Sequence, residues 1–134
     1  MATLTARKIV EGGLASSLSD CNTDGDEFAN TGVEFIRIKN AYASTQTYTV
    51  RVSAQTTSIK HPTYGTVSKS NTDVSVADGA TAYIGQFKQG VWNDTNNKVQ
   101  ISYRTTGTFA TGSAISTIDG GTHLLKIEIL YLEN

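Results

Sequence analysis

Cysteine, proline and histidine are nearly absent from these 134 residues, and neither sign of charge prevails. The single cysteine, Cys21, excludes an internal disulfide framework and any CxxC metal or redox pair. Nothing in the thiol chemistry calls for an oxidising compartment, so synthesis in the cytoplasm is expected. The single proline, Pro62, leaves no Pro-rich linker. The two histidines, His61 and His123, stand outside any GxSxG or HExxH pattern, and nothing around Cys21 would depress its pKa. P-loop and GxGxxG patterns are missing as well, so the chain is read as a non-enzyme without a cofactor. Eleven Lys and Arg against 12 Asp and Glu give a net charge of -1. That balance offers no basic field to a phosphate backbone, and nucleic acid is not an expected partner. No apolar run approaches the length of about 18 residues that crosses a bilayer, and the N-terminus has no apolar leader core, so a soluble chain without a membrane partner is expected.

What is abundant is polarity without charge. Twenty Thr and 12 Ser make up 32 of the 134 residues, accompanied by 12 Gly. Threonine is β-branched and suits strand surfaces, while Ser and Gly suit turns. The composition points to an all-β domain, and the pattern along the chain agrees. Residues 33–39 alternate, with Ile36 and Ile38 on one face and Phe35, Arg37 and Lys39 on the other. Residues 47–55 place Tyr48, Val50, Val52 and Ala54 on one face, and residues 98–103 do the same with Val99, Ile101 and Tyr103. Residues 73–76 and 80–84 flank Ala77-Asp78-Gly79, a hairpin signal. Gly65 to Lys69 is a short edge-strand candidate, and one helical turn is expected near Gln89 to Asn93 within the loop from Gly85 to Lys98. A short run at Ile115 to Ile118 precedes the last strand, residues 123–132, where Leu125, Ile127, Ile129 and Tyr131 face one way. Leu124, Leu130 and Leu132 face the other way beside Lys126 and Glu128, so this strand should be covered on both sides.

These signals amount to seven or eight short strands without a helix of ten residues. They predict an antiparallel β-sandwich over residues 31–134, with the jelly roll among the topologies that the spacing admits. Residues 1–30, whose one apolar run contains Ile9 and Val10, are read as an N-terminal arm or an edge strand with a loop. Two local candidates for a site stand out. Asp20, Asn22 and Asp24 with Gly25 place oxygen donors as a calcium loop begins, and Asp26, Glu27 and Glu34 add carboxylates. The twelfth position is Thr31 rather than glutamate, and a plain solvated loop explains the same residues. Trp92, in a loop with Asn93 and Asp94, is either a stacking platform for a sugar ring or an anchor of the core.

Residues 28–40, FANTGVEFIRIKN, are followed by TVRVSAQTT and, over 74–103, by VSVADGATAYIGQFKQGVWNDTNNKVQISY. These blocks resemble small bacteriophage virion structural proteins of the capsid decoration or cement type. In that group an N-T-G-x-E-F strand opening, a V-x-A-Q-T-T strand, a G-x-x-x-I-G-x-F arm and an N-D-x-N-x-K-V-x-I-x-Y strand recur. The resemblance spans residues 28–103. It implies a homo-oligomeric protein on the capsid surface of a virion, bound to the outside of the shell of major capsid protein and stabilising it. Ile9, Val10, Trp92, Leu124, Leu130 and Leu132 are the interface candidates, with residues 1–30 ordering on the shell. A tail or neck accessory protein and a small carbohydrate-binding module that uses Trp92 are the alternatives.

Overall fold

A computed structural model of the chain describes residues 2–22, 25–41, 47–55, 58–104 and 125–132. Twelve strands and one helical turn lie within them: β1 (Ala2–Leu4), β2 (Ala6–Ile9), β3 (Ser19–Asp20), β4 (Asp26–Ala29), β5 (Phe35–Asn40), β6 (Tyr48–Val52), β7 (Ser58–His61), β8 (Gly65–Ser68), β9 (Thr72–Val76), β10 (Thr81–Gly85), α1 (Gln89–Trp92), β11 (Lys98–Arg104) and β12 (Leu125–Leu132). The count exceeds the expected seven or eight because β1 to β4 have only two to four residues each. Strands that short show no period in sequence and are held by their neighbours.

The alternation read from sequence is the burial pattern of the long strands. In β5 the buried positions are Ile36, Ile38 and Asn40, in β6 Tyr48, Val50 and Val52, and in β11 Val99, Ile101 and Tyr103. Side chains two apart point the same way, so each of these strands gives one row to a core and one to the outside. The strands form two five-stranded sheets. Sheet A has the order β1-β4-β11-β6-β9, and sheet B has β10-β5-β12-β2, with β3 also on β12. β7 and β8 form a separate antiparallel pair. Phe28, Val50 and Ile101 of sheet A and Ile36, Ile38 and Ile127 of sheet B belong to a single core. Phe87 and Trp92 extend it: the Phe87 ring lies 6.0 Å from Phe28 and meets Trp92 edge-on at 5.7 Å and 74°.

Two ladders depart from the antiparallel expectation. β1 runs parallel to β4, and β2 runs parallel to β12. Parallel neighbours need a long connection, and both pairs have one, because the N-terminal strands join partners that come later in the chain. Only Thr5 separates β1 in sheet A from β2 in sheet B. The chain therefore changes sheets in a single residue.

Another change of sheets corrects the expected hairpin at Ala77-Asp78-Gly79. The turn is there, with Gly79 at φ +74°, but β9 pairs with β6 in sheet A and β10 pairs with β5 in sheet B. Asn40, fully buried at the end of β5, decides the outcome. Its N–H donates to the Ala80 carbonyl (3.0 Å), its carbonyl accepts from the Gly79 N–H (2.9 Å), and its side-chain amide donates to the Val76 carbonyl (3.0 Å). Val76, Gly79 and Ala80 of the corner are thus each hydrogen-bonded to Asn40 of β5.

Two turns within the blocks quoted for the phage resemblance close on themselves. Glu34 accepts from Thr31 N–H (2.8 Å), Thr31 Oγ1 (2.9 Å) and Val33 N–H (3.3 Å), while Asn30 Oδ1 accepts from Gly32 N–H (3.0 Å). Asp94 accepts from the N–H groups of Asn96 (2.8 Å) and Lys98 (3.0 Å), with Asn97 at φ +61°. Asn30 and Asn93 donate to each other across the two turns at 2.7 and 3.0 Å. Side chains of this type satisfy main-chain groups where no ladder can.

Because β1 and β2 complete both sheets, and Leu4 and Ala6 pack against the core, deleting residues 2–9 is expected to lower the free energy of unfolding by at least about 3 kcal/mol. Urea denaturation checks this, and an unchanged midpoint would mean that the segment is an appendage.

Candidate docking surface

The two outward faces differ in kind. On sheet A, the outward positions of β4, β6, β9 and β11 carry Glu27, Arg51, Asp73, Lys98 and Gln100, engaged in two groups. Arg51 holds Asp73 through two hydrogen bonds of 2.7 and 2.8 Å. Glu27 accepts from Lys98 Nζ (2.9 Å), Gln100 Nε2 (2.8 Å) and Thr3 Oγ1 (3.0 Å). The Lys98 and Gln100 hydrogen bonds hold the Glu27 carboxyl below its ordinary pKa, as Arg51 does for Asp73. This face suits water.

Sheet B presents the reverse. At the outward positions of β5, β10 and β12 stand Phe35, Tyr83, Leu130 and Leu132, among Arg37, Lys39, Lys126 and Glu128. Leu130 is buried without being part of the core between the sheets, because residues 10–18 cross over this face between β2 and β3. Glu128 fastens that crossing. Its side chain is 3% exposed and takes hydrogen bonds from Arg37 Nη1 (2.6 Å), Ser16 Oγ (3.0 Å), Ser17 N–H (3.0 Å) and Arg7 Nη1 (3.5 Å). Burial pushes the Glu128 carboxyl up, but the donors from Ser17, Arg37 and Ser16 outweigh it and hold the pKa below the usual value.

The crossing leaves apolar ground uncovered. A groove of about 200 Å³ is lined by Ile9, Leu14, Phe35, Tyr83 and Leu130, with Ser16, Arg37 and Glu128. A second hollow of about 450 Å³, formed by Ile9, Val10, Glu11 and Leu132, shares Ile9 with it. Val10 is 38% exposed, Leu132 55% and Tyr83 65%, and of the exposed large hydrophobic side chains among the described residues only Tyr64 lies elsewhere, in the turn between β7 and β8. The Phe35 and Tyr83 rings lie 6.4 Å apart, tilted at 47°.

The candidates read from sequence fall on different parts of this map. Ile9, Val10 and Leu132 border the apolar ground, and Leu130 lies beneath it. Trp92 is 6% exposed, with Phe87 at its edge and the Lys69 ammonium 5.4 Å from its ring centre, so its faces are occupied by its own chain. Leu124 and Asp24 lie outside the described residues, as does the run at 115–118. Asp20 pairs with Lys126, and Asn22 donates its N–H to Asp26 at 3.0 Å. Asp26 points into the core, Glu27 onto the outside of sheet A and Glu34 back into its own turn. Among the described residues, no group of three or more His, Cys, Asp or Glu side chains is placed to hold an ion.

Asp26 belongs to a buried cluster with Cys21 and Tyr103, whose hydroxyl donates to Asp26 Oδ2 at 2.6 Å. Burial raises the Asp26 carboxyl and lifts the Cys21 thiol and Tyr103 hydroxyl well above their usual values. Burial thus works against the charged form of each group, which leaves Cys21 without thiolate reactivity. The residues missed in sequence are Tyr83, Leu14 and Glu128. An apolar residue in the polar phase of adjacent strands, as at Phe35, Tyr83 and Leu130, is the signal that marks this face.

Compared with protein-family models, with curated proteins and with solved structures, the chain finds no match.

Glu128→Gln is expected to cost about 1.5–3 kcal/mol at neutral pH, the value of hydrogen bonds to a charged group. A carboxylate with a lowered folded pKa stabilises above its unfolded pKa of about 4.3 and stops doing so as pH falls through the folded value. The gap between wild type and variant should therefore close below about pH 4. Denaturation curves from pH 7 to 3, an interval of about four units around that unfolded pKa, measure it.

Proposed function

We propose that this protein is a bacteriophage capsid decoration or cement protein, made in the host cytoplasm and carried on the capsid surface of the virion. The two sheets serve as the layers of a β-sandwich, and the outside of sheet B docks on the shell of major capsid protein. The observation that carries the reading is the gathering of Val10, Tyr83 and Leu132 on one face, while the opposite face is laced with ion pairs. Contiguous exposed apolar surface on a small domain marks a contact with another macromolecule. The resemblance of residues 28–103 to capsid decoration proteins supports the shell as that macromolecule.

The work done on the shell is mechanical. Covering apolar surface across a boundary between shell subunits contributes about 25 cal/mol for each Å² removed from water. A ligand that binds only the assembled form stabilises that form. Many copies on a symmetric lattice multiply a modest contact. Glu128 keeps residues 14–17 in place against the sheet, so little ordering cost falls on the binding step.

The double variant Val10→Asp, Leu132→Asp places charge on the exposed ground without touching the core. It should keep the wild-type melting temperature and lose at least about tenfold in affinity for shells, equal to about 1.4 kcal/mol, in co-sedimentation. Undiminished binding by the folded variant would remove sheet B as the docking face.

A further inference from the structure

We propose that two copies of this chain pair through β10, antiparallel about a twofold axis, so that sheet B of one copy continues into sheet B of the other. β10 ends its sheet. The hydrogen bond from Asn40 N–H to the Ala80 carbonyl sets the phase of the ladder with β5. Ala82 and Ile84 therefore turn their main-chain groups toward β5, and Thr81 and Tyr83 turn theirs outward. Among the described residues, no hydrogen bond reaches the main chain of Thr81 or Tyr83 from that side.

Two features make a second copy the occupant. The first is self-complementarity: outward N–H and C=O groups on residues two apart match their own pattern when one strand is turned through the twofold. Thr81 of each copy then faces Tyr83 of the other, and each facing pair exchanges both hydrogen bonds. Gly85, at φ +140°, leaves strand geometry and ends the pairing.

The second feature is charge. Edge strands are normally blocked by charged residues, proline or shortness. β2 carries Arg7 and Lys8, β9 carries Asp73, and β1 has three residues. β10, Thr81–Gly85, carries no charge and no proline, and its Tyr83 is 65% exposed. Behind it, Arg37 is neutralised by Glu128. Lys39 of one copy and Arg37 of the other would be separated by three strand spacings of about 4.8 Å, more than the screening length of about 8 Å at physiological salt.

So short a pairing covers less than the roughly 1,200 Å² of a stable interface, which places the dimer in the weak class. The inference does not rest on the docking proposal, because it concerns the full chain free in solution without a shell. Sedimentation equilibrium of the wild-type protein from about 5 to 500 µM, spanning free energies near the micromolar value of about 8 kcal/mol, should show monomer and dimer in exchange. Tyr83→Lys and Tyr83→Glu should each be monomeric with an unaltered melting temperature, and mixing the two should restore dimer. Hydrogen exchange at the Thr81 and Tyr83 amides should slow with concentration, while Ala82, already bonded to β5, should not change. A wild-type protein that stays monomeric throughout overturns the proposal, as does a dimer that persists in Tyr83→Lys or leaves the Thr81 and Tyr83 amides insensitive to concentration.

Discussion

The chain passes between the two sheets repeatedly, and the structure depends on how its two shortest crossings are held. At one, Thr5 alone links β1 to β2. At the other, residues 77–80 link β9 to β10, and Asn40 binds the corner through its main chain and its side chain. A fully buried amide is costly unless its hydrogen bonds are made. Asn40 makes them at the corner between β9 and β10, so the penalty for the alternative hairpin falls on a core position. The two sheets are thereby fixed against the core they share, and strands as short as β1 and β2 find partners prepared for them.

The character of the outer faces is a consequence. Sheet A ends at β1 and β9 and shows water a network in which Glu27 and Asp73 each have a cationic partner. Sheet B must also accommodate residues 10–18, which pass over it between β2 and β3, and a buried carboxylate holds them there. Removing water from Glu128 is unfavourable, and its donors from Arg37, Ser16 and Ser17 offset that. The crossing segment, which begins at Val10, covers Leu130 but leaves Val10 itself, Tyr83 and Leu132 exposed. The face best suited to docking is thus the remainder of a surface that the fold covers only in part.

Much of this was readable from the residues. The period-two rows of β5, β6 and β11 appear directly in burial, and the helical turn at Gln89–Trp92 lies where the loop composition placed it. The hairpin at Ala77-Asp78-Gly79 was misread because a turn signal specifies a change of direction and says nothing about which sheet receives the next strand. That depends on Asn40, 36 residues before the Val76 whose carbonyl it binds. β1, β3 and β4 escaped notice because strands of two to four residues cannot display a period, whereas the run that contains β2 was read as an arm or an edge strand. Glu128 looked like an ordinary solvated residue of an alternating strand, since its burial is caused by residues more than 100 positions away. Phe35 and Leu130 were visible singly and Tyr83 was missed, and only the register of β10, β5 and β12 shows that they adjoin.

The functional account depends on whether this protein is carried on a shell in numbers that match the shell. Quantitative mass spectrometry of gradient-purified virions, taking the ratio of this chain to the major capsid protein, addresses that directly. The account predicts a ratio of one or a simple fraction of it, as for a protein arrayed over the lattice. Absence from purified virions, or a handful of copies in each, would contradict it.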